Sequence, residues 1–470
     1  VERLTELFES VLPREAILDK IADRMTYDAD AVTLEKFAPS LVLLPSTVEE
    51  LVQIVQICHR HKIPIVTRGA GTGLSGGALA LNESILLVTT RLNKIVEINQ
   101  EEQWAIVEAG VVNAHLSKAA APYGLAFAPD PSSGSASTIG GNIAENAGGP
   151  HCLKYGATAE HILGLELILA TGERLWVDDH GPNAPILSLI IGSEGTLAIV
   201  TKAKVRLTPL PEAVETLLVD FPTPKDASNA VGEIIASGIV PAALEMIDAV
   251  VLDALEEAFR LGFPTDAGAL LIIELDGRRA SMKRLLDQVV SIVKAHQART
   301  VRVAQNNKER EALWKARKRA FGALGRVSPS YYTQDGVIPR HALAEVLEDI
   351  YAIGRKFDLR IANIFHAGDG NLHPAILYDE RDPAQVQKVL SASAEILKLC
   401  ISHTGSITGE HGVGIEKQEA LGWMFGPSDI EIMEKVRKVF NPDGLLNPGK
   451  FLPSDHSCRE VSLKHRKVGV

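Results

Sequence analysis

Apolar residues fall at Leu51, Ile54, Val55 and Cys58, a spacing that lines one face of a helix. Just ahead of them Thr47 and Glu50 stand three apart, which predicts a capping box at the helix N-terminus. The pattern then shifts to short β-rich runs. Strands are predicted at residues 63–67, 85–89, 104–108, 164–170 and 197–207. At Thr208-Pro209-Leu210-Pro211 two prolines mark a boundary. Beyond it, longer amphipathic helices, as at 248–261 and 281–296, mix with strands such as 269–275. The pattern predicts an α+β fold whose second domain covers its sheet with helices on one face. The expected division is residues 1–211, 212–440, a returning segment at 441–455 rich in Gly, Pro and Asn, and a basic tail at 456–470.

A chain of 470 residues is long for one core, in keeping with this division. The net charge of −11 provides no general basic field, so nucleic acid is not an expected partner. The best apolar run, residues 162–170, is short and interrupted by Glu166, so no integral membrane span is expected. Residues 1–12 lack the basic and apolar regions of a signal peptide. Cys58, Cys152, Cys400 and Cys458 form no CxxC pair, which gives neither a disulfide framework nor an iron–sulfur or zinc ribbon pattern. A cytoplasmic protein is expected, with any membrane contact peripheral or through a partner. A homodimer is carried as an open expectation.

The segment Arg68-Gly69-Ala70-Gly71-Thr72-Gly73-Leu74-Ser75-Gly76-Gly77 contains the G-x-G-x-x-G pattern of dinucleotide sites. That pattern needs a helix straight after it. Only about eight residues separate Gly77 from the next predicted strand, too few for a helix of about ten or more. A strand–loop–strand is expected instead, with backbone N–H groups able to converge on a phosphate; the plain alternative is a tight turn with no ligand. A second polar segment runs from Pro129 to Gly149, and a third is Gly192-Ser193-Glu194-Gly195-Thr196-Leu197.

In their order and wording these three segments resemble the flavoprotein family of vanillyl-alcohol oxidase type. The resemblance runs from about Phe37 to Phe451. It lies in the branch of glycolate oxidase flavoprotein subunits, D-lactate dehydrogenases and D-2-hydroxyglutarate dehydrogenases. It implies a two-part FAD-binding domain and an α+β substrate, or cap, domain. The first loop, Arg68, Gly69, Ala70, Gly71, Thr72, Gly73, Gly76 and Gly77, would wrap the FAD pyrophosphate. From the second segment, Pro129, Asp130, Ser135, Ser137, Thr138, Gly141, Asn142, Ala144, Asn146 and Gly149 would line the ribityl chain and isoalloxazine. Glu194, Gly195, Ile199 and Asn447 would complete the site. No histidine stands near Thr72, where relatives with covalent flavin often carry one, so non-covalent FAD is expected. Cys152 is read as a plain thiol.

Further on, His366 and His373 flank Gly368-Asp369-Gly370-Asn371. An offset of seven would set them on opposite faces of a straight strand, but the turn residues between them predict a hairpin that brings both to one side. Glu410-His411 follows between glycines. Two histidines and a carboxylate form a common divalent-metal set; the plain alternative is that each histidine is structural. The resemblance implies that His366, His373 and Glu410 hold zinc, manganese or iron. It makes His411 the base and Arg317, in Trp314-x-x-Arg317, the ligand of the substrate carboxylate.

At the places where hydroxyglutarate-type relatives bind their second carboxylate stand Phe321, Thr333 and Ala375. The expected substrate is therefore a short 2-hydroxy monocarboxylate, glycolate or D-lactate, with the D hand implied by the resemblance alone, oxidised by hydride transfer to FAD. An iron–sulfur partner or a quinone is the expected electron acceptor. Three alternatives are a D-2-hydroxyglutarate dehydrogenase, a flavoenzyme like alkyl-glycerone-phosphate synthase, and a non-catalytic flavin subunit.

Overall fold

A computed structural model describes residues 2–32, 34–81, 83–260 and 262–453. The tail expected at 456–470, together with Cys458, lies outside the described residues. The chain divides into two compact units. Of the described residues, the first comprises those within Val1–Gly148, Ala157–Leu210 and Glu410–Val470; the second comprises those within Gly149–Gly156 and Pro211–Gly409. The chain leaves the first unit after Leu210 and rejoins it at Glu410, with a short excursion at 149–156.

Among the described residues the first unit holds two larger sheets and a two-stranded one, in which Leu125–Ala126 pairs antiparallel with Thr208–Pro209. In one, Leu41–Leu43, Ile85–Val88 and Ile65–Arg68 run parallel, with Ile17–Leu18 antiparallel at the edge beside Leu41–Leu43. The helix Val48–His61 joins the two outer parallel strands. Thr47 accepts from the Glu50 N–H in a complete capping box, and Leu51, Ile54, Val55 and Cys58 are fully buried against the sheet. Ile85–Val88 inserts between the two outer strands after the glycine loop, with no helix in the connection. The second sheet is antiparallel throughout, in the order Ile95–Asn99, Trp104–Glu108, Ile199–Arg206, Ile162–Ile168, Arg174–Asp178.

The second unit is built on a large antiparallel sheet. Its central path runs Thr300–Val303, Ala213–Phe221, Ala269–Gly277, Ala243–Asp248, Arg360–His366. Leu218, Leu270 and Ile272 pack with the helices Ala249–Phe259 and Asn307–Leu324. The alternate residues Leu217, Val219, Leu271 and Ile273 are buried as well, where the helices Pro224–Ala236 and Arg279–Ala295 meet the same strands. Both faces are therefore covered, not one. Unbroken apolar runs such as Ala269-Leu270-Leu271-Ile272-Ile273 are the sequence mark of that arrangement.

Candidate active site

Within the first unit the three polar segments converge. The glycine loop leaves Ile65–Arg68 and lies against the helix Ile139–Glu145. A Cβ on Gly69 would fall 2.3 Å from Thr138 Oγ1, and one on Gly77 would fall 2.9 Å from Glu145 Oε1. Only residues without side chains allow so close an approach. The third segment joins from the other side, with Gly192 N–H donating to Ile143 O at 2.9 Å and Glu194 N–H to Ala144 O at 2.8 Å. Glu194 accepts the backbone N–H groups of Val413 (2.6 Å) and Gly414 (2.7 Å). Asn447 Nδ2 bridges Gly77 O and Glu194 O.

Several residues expected at the cofactor bond within the protein itself. Thr138 caps the helix by accepting from Gly141 N–H. Asn142 donates to Asn113, which in turn donates to Pro129 O. Asn146, in the left-handed region with φ 51°, accepts from Ala159 N–H. Arg68 donates to Ala29 O and stacks on Tyr27. Gly71, Thr72 and Gly73 are half-buried, Ala70 and Ser135 are exposed, and Ile199 is buried at the start of its strand. Gly149 falls in the second unit. Ser75 Oγ, Ser137 Oγ and Glu145 Oε2 lie buried in this region without a hydrogen-bond partner in the protein. Buried polar atoms normally have one, so these atoms suit a polar cofactor.

In the second unit the predicted hairpin forms. His366 ends the strand Arg360–His366 and pairs with Asn371 across the turn. The two imidazoles meet edge to face with centroids 5.0 Å apart, and ring nitrogens of the two come within 4.8 Å of each other. That spacing lets both donate to one ion. Asp335, fully buried, accepts from Thr408 Oγ1 (2.5 Å) and Gly409 N–H (3.0 Å), and its Oδ1 is 4.0 Å from His373 Nδ1. Glu410 and His411 are the next two residues along the chain; Glu410 Oε1 is 3.8 Å from His411 Nε2.

Arg317 is 2% exposed and is held by Glu245: Nε donates at 2.7 Å, and Nη2 lies at 2.6 Å from the same oxygen, Oε2. Oε1 of that carboxylate is 2.6 Å from His366 Nδ1. Burial pushes Glu245 up, but His366 and Arg317 outweigh it and hold it below the usual carboxylate range. Thr333 and Ala375 stand directly opposite each other on paired strands, while Phe321 stacks on Tyr331 at 5.9 Å.

Two family models match the chain: an FAD binding domain over residues 39–178 and the C-terminal domain of FAD linked oxidases over 210–451. A relative from Escherichia coli (strain K12), the glycolate oxidase subunit GlcD, is 44% identical across 97% of this chain and 92% of its own. The chain belongs to the FAD-linked oxidase family. A second relative, a D-lactate dehydrogenase from Anaerostipes hadrus, is 30% identical across 95% of this chain and 97% of its own. Among solved structures, an alkyldihydroxyacetonephosphate synthase superposes with a TM-score of 0.77 at 20% identity, over 96% of this chain and 86% of its own. This FAD-linked oxidase thus has the two-part flavin-binding fold of vanillyl-alcohol oxidase type with an α+β second domain, and it is an FAD-dependent oxidoreductase acting on a CH–OH group.

Other charged residues of this oxidase carried no readable signal in the sequence. Lys450 is wholly buried and donates to Gly77 O at 2.7 Å and Asn447 Oδ1 at 2.9 Å; burial pulls its ammonium down to about 7. Burial, then Glu194, pushes the Glu145 carboxyl well up. Glu245 and Asp335 were equally silent, because each lies far along the chain from the residues it holds. An acidic residue inside an apolar strand, as in Ala243–Asp248, is the one clue the sequence offered. Among the described residues no helix is long and apolar enough to cross a membrane.

Proposed function

We propose that this oxidase converts a short D-2-hydroxy acid, glycolate or D-lactate, to the 2-oxo acid, with non-covalent FAD and a divalent ion of zinc, manganese or iron. The observation that carries the metal and substrate reading is the His366–His373 pair, with ring nitrogens within 4.8 Å in a chain of this family. Two imidazoles and a carboxylate, as His366, His373 and Glu410 offer, are a donor set that suits such an ion. When bound, FAD supplies the hydride acceptor and the ion a Lewis acid for the hydroxyl.

His366, His373 and Glu410 would hold the ion. His411 would accept the hydroxyl proton at a ring nitrogen, as a general base. Arg317, with Nε and Nη2 taken up by Glu245, would meet the substrate carboxylate through Nη1. The aromatic and methyl side chains of Phe321 and Ala375 offer no partner to a second carboxylate, which disfavours D-2-hydroxyglutarate. The likeness to alkyldihydroxyacetonephosphate synthase, at 20% identity, supports only the shared fold. Electrons would leave to a quinone or an iron–sulfur partner. A dye-linked assay tests the base. His411→Ala is expected to lower turnover of glycolate or D-lactate by about 10²-fold or more with FAD still bound. Retention of most of the activity would remove His411 from that role.

A further inference from the structure

Glu245 stands on Ala243–Asp248 directly across from His366 on Arg360–His366, and the helix Asn307–Leu324 brings Arg317 to the same carboxylate. Three elements thus deliver a carboxylate, an imidazole and a guanidinium, with side chains 0%, 5% and 2% exposed. We infer that Glu245 is a positioning residue: through one carboxylate it sets His366 as a metal ligand and fixes Arg317 beside it. The inference rests on the metal reading above.

An ionised carboxylate at 2.6 Å from Nδ1 holds the ring proton there, so Nε2 keeps the lone pair that a cation needs. Such a carboxylate–histidine pair also fixes the ring plane and raises the basicity of the ligand nitrogen. The other oxygen is occupied by two guanidinium nitrogens, so the carboxylate cannot turn away from His366 without breaking the ion pair. Stability alone does not call for this arrangement, since apolar side chains of similar volume commonly do as well as a buried ion pair.

Asp248, three residues along the same strand, provides the contrast. It is just as buried, yet its partners are the N–H groups of Val251 and Asn363, Asn363 Nδ2 and the Tyr351 hydroxyl. It caps the helix Ala249–Phe259, and none of these partners is a histidine.

The test is a Zn²⁺ and Mn²⁺ titration of the full flavin-loaded chain against a chelating dye, with unfolding temperature and flavin content recorded for each variant. Glu245→Gln is expected to bind the ion roughly 10- to 100-fold more weakly. Asp248→Asn is expected to lose stability but to stay within about twofold of the wild-type affinity, since second-sphere losses arise only at groups that hold a ligand. Equal affinity of Glu245→Gln and wild type overturns the inference while leaving the metal reading intact. If the wild type binds neither ion and carries no iron by metal analysis, or His366→Ala binds the ion unchanged, the metal reading itself fails. A second measurement needs no variant at Glu245. In ¹⁵N-histidine-labelled wild-type protein, with His366 identified by its loss in His366→Ala, the ring proton is expected on Nδ1; a proton on Nε2 overturns the inference.

Discussion

Glu274 shows what a single buried carboxylate does in this molecule. It accepts from Thr216 Oγ1 (2.7 Å), Arg310 Nε (2.9 Å) and Trp314 Nε1 (2.6 Å), and lies 3.2 Å from His151 Nε2. Burial pushes its carboxyl up, but His151, Arg310 and Trp314 together bring it far below the usual 4.5. The folded chain therefore refuses a proton that the unfolded chain takes up. The stability Glu274 contributes is complete above pH 4.5 and is lost as the pH falls toward its folded value. Glu274→Gln is expected to cost about 3 kcal/mol at pH 7, measured by urea unfolding of the second unit. Below pH 4.5 the gap to wild type should narrow; a gap that is the same at pH 7 and pH 3.5 would refute the assignment. At this scale the sequence revealed the histidines, because glycines and turn residues flank them. It concealed Glu245 and Glu274, whose partners Arg317 and Arg310 lie 72 and 36 residues away.

At the scale of elements, local signals proved legible where side chains meet their own neighbours. The capping box is one: Thr47→Ala is expected to cost about 1 kcal/mol in unfolding free energy of the first unit, and no measurable change would show the cap to be idle. The predicted strands also emerged from local pattern, with limits up to two residues from those observed, as at 164–170 against Ile162–Ile168. The helix Ile139–Glu145 did not, because Gly140-Gly141 in its first turn weakens its propensity, and its stability comes from packing under the glycine loop. Covering of both faces of the second sheet was legible in the unbroken apolar run 269–273, but which helices do the covering is tertiary. Gly414 tests the convergence of the flavin segments. Its φ is 51°, and a Cβ there would fall 1.9 Å from Ser75 O, a backbone atom of the glycine loop. Gly414→Ala is expected to weaken FAD binding at least tenfold, about 1.4 kcal/mol or more, read as flavin retained after desalting. Full retention would mean that the loop position does not govern the cofactor.

On the scale of the whole molecule, the chain passes from the first compact unit to the second after Leu210, and the Gly-, Pro- and Asn-rich stretch from 441 lies within the part that belongs to the first unit again. The chain turns back at Glu410, inside the Gly-Glu-His-Gly motif itself, so a chemical motif and a structural boundary coincide there. The relative from Escherichia coli matches nearly the full length of the chain, across both the flavin-binding unit and the unit that carries the histidine pair. The most direct test is anaerobic mixing of the flavin-loaded protein with glycolate, D-lactate, L-lactate or D-2-hydroxyglutarate while the flavin absorbance is followed. Bleaching by glycolate or D-lactate, much faster than by the other two, is the expected result. Bleaching by D-2-hydroxyglutarate alone, or by none of the four, would contradict the account.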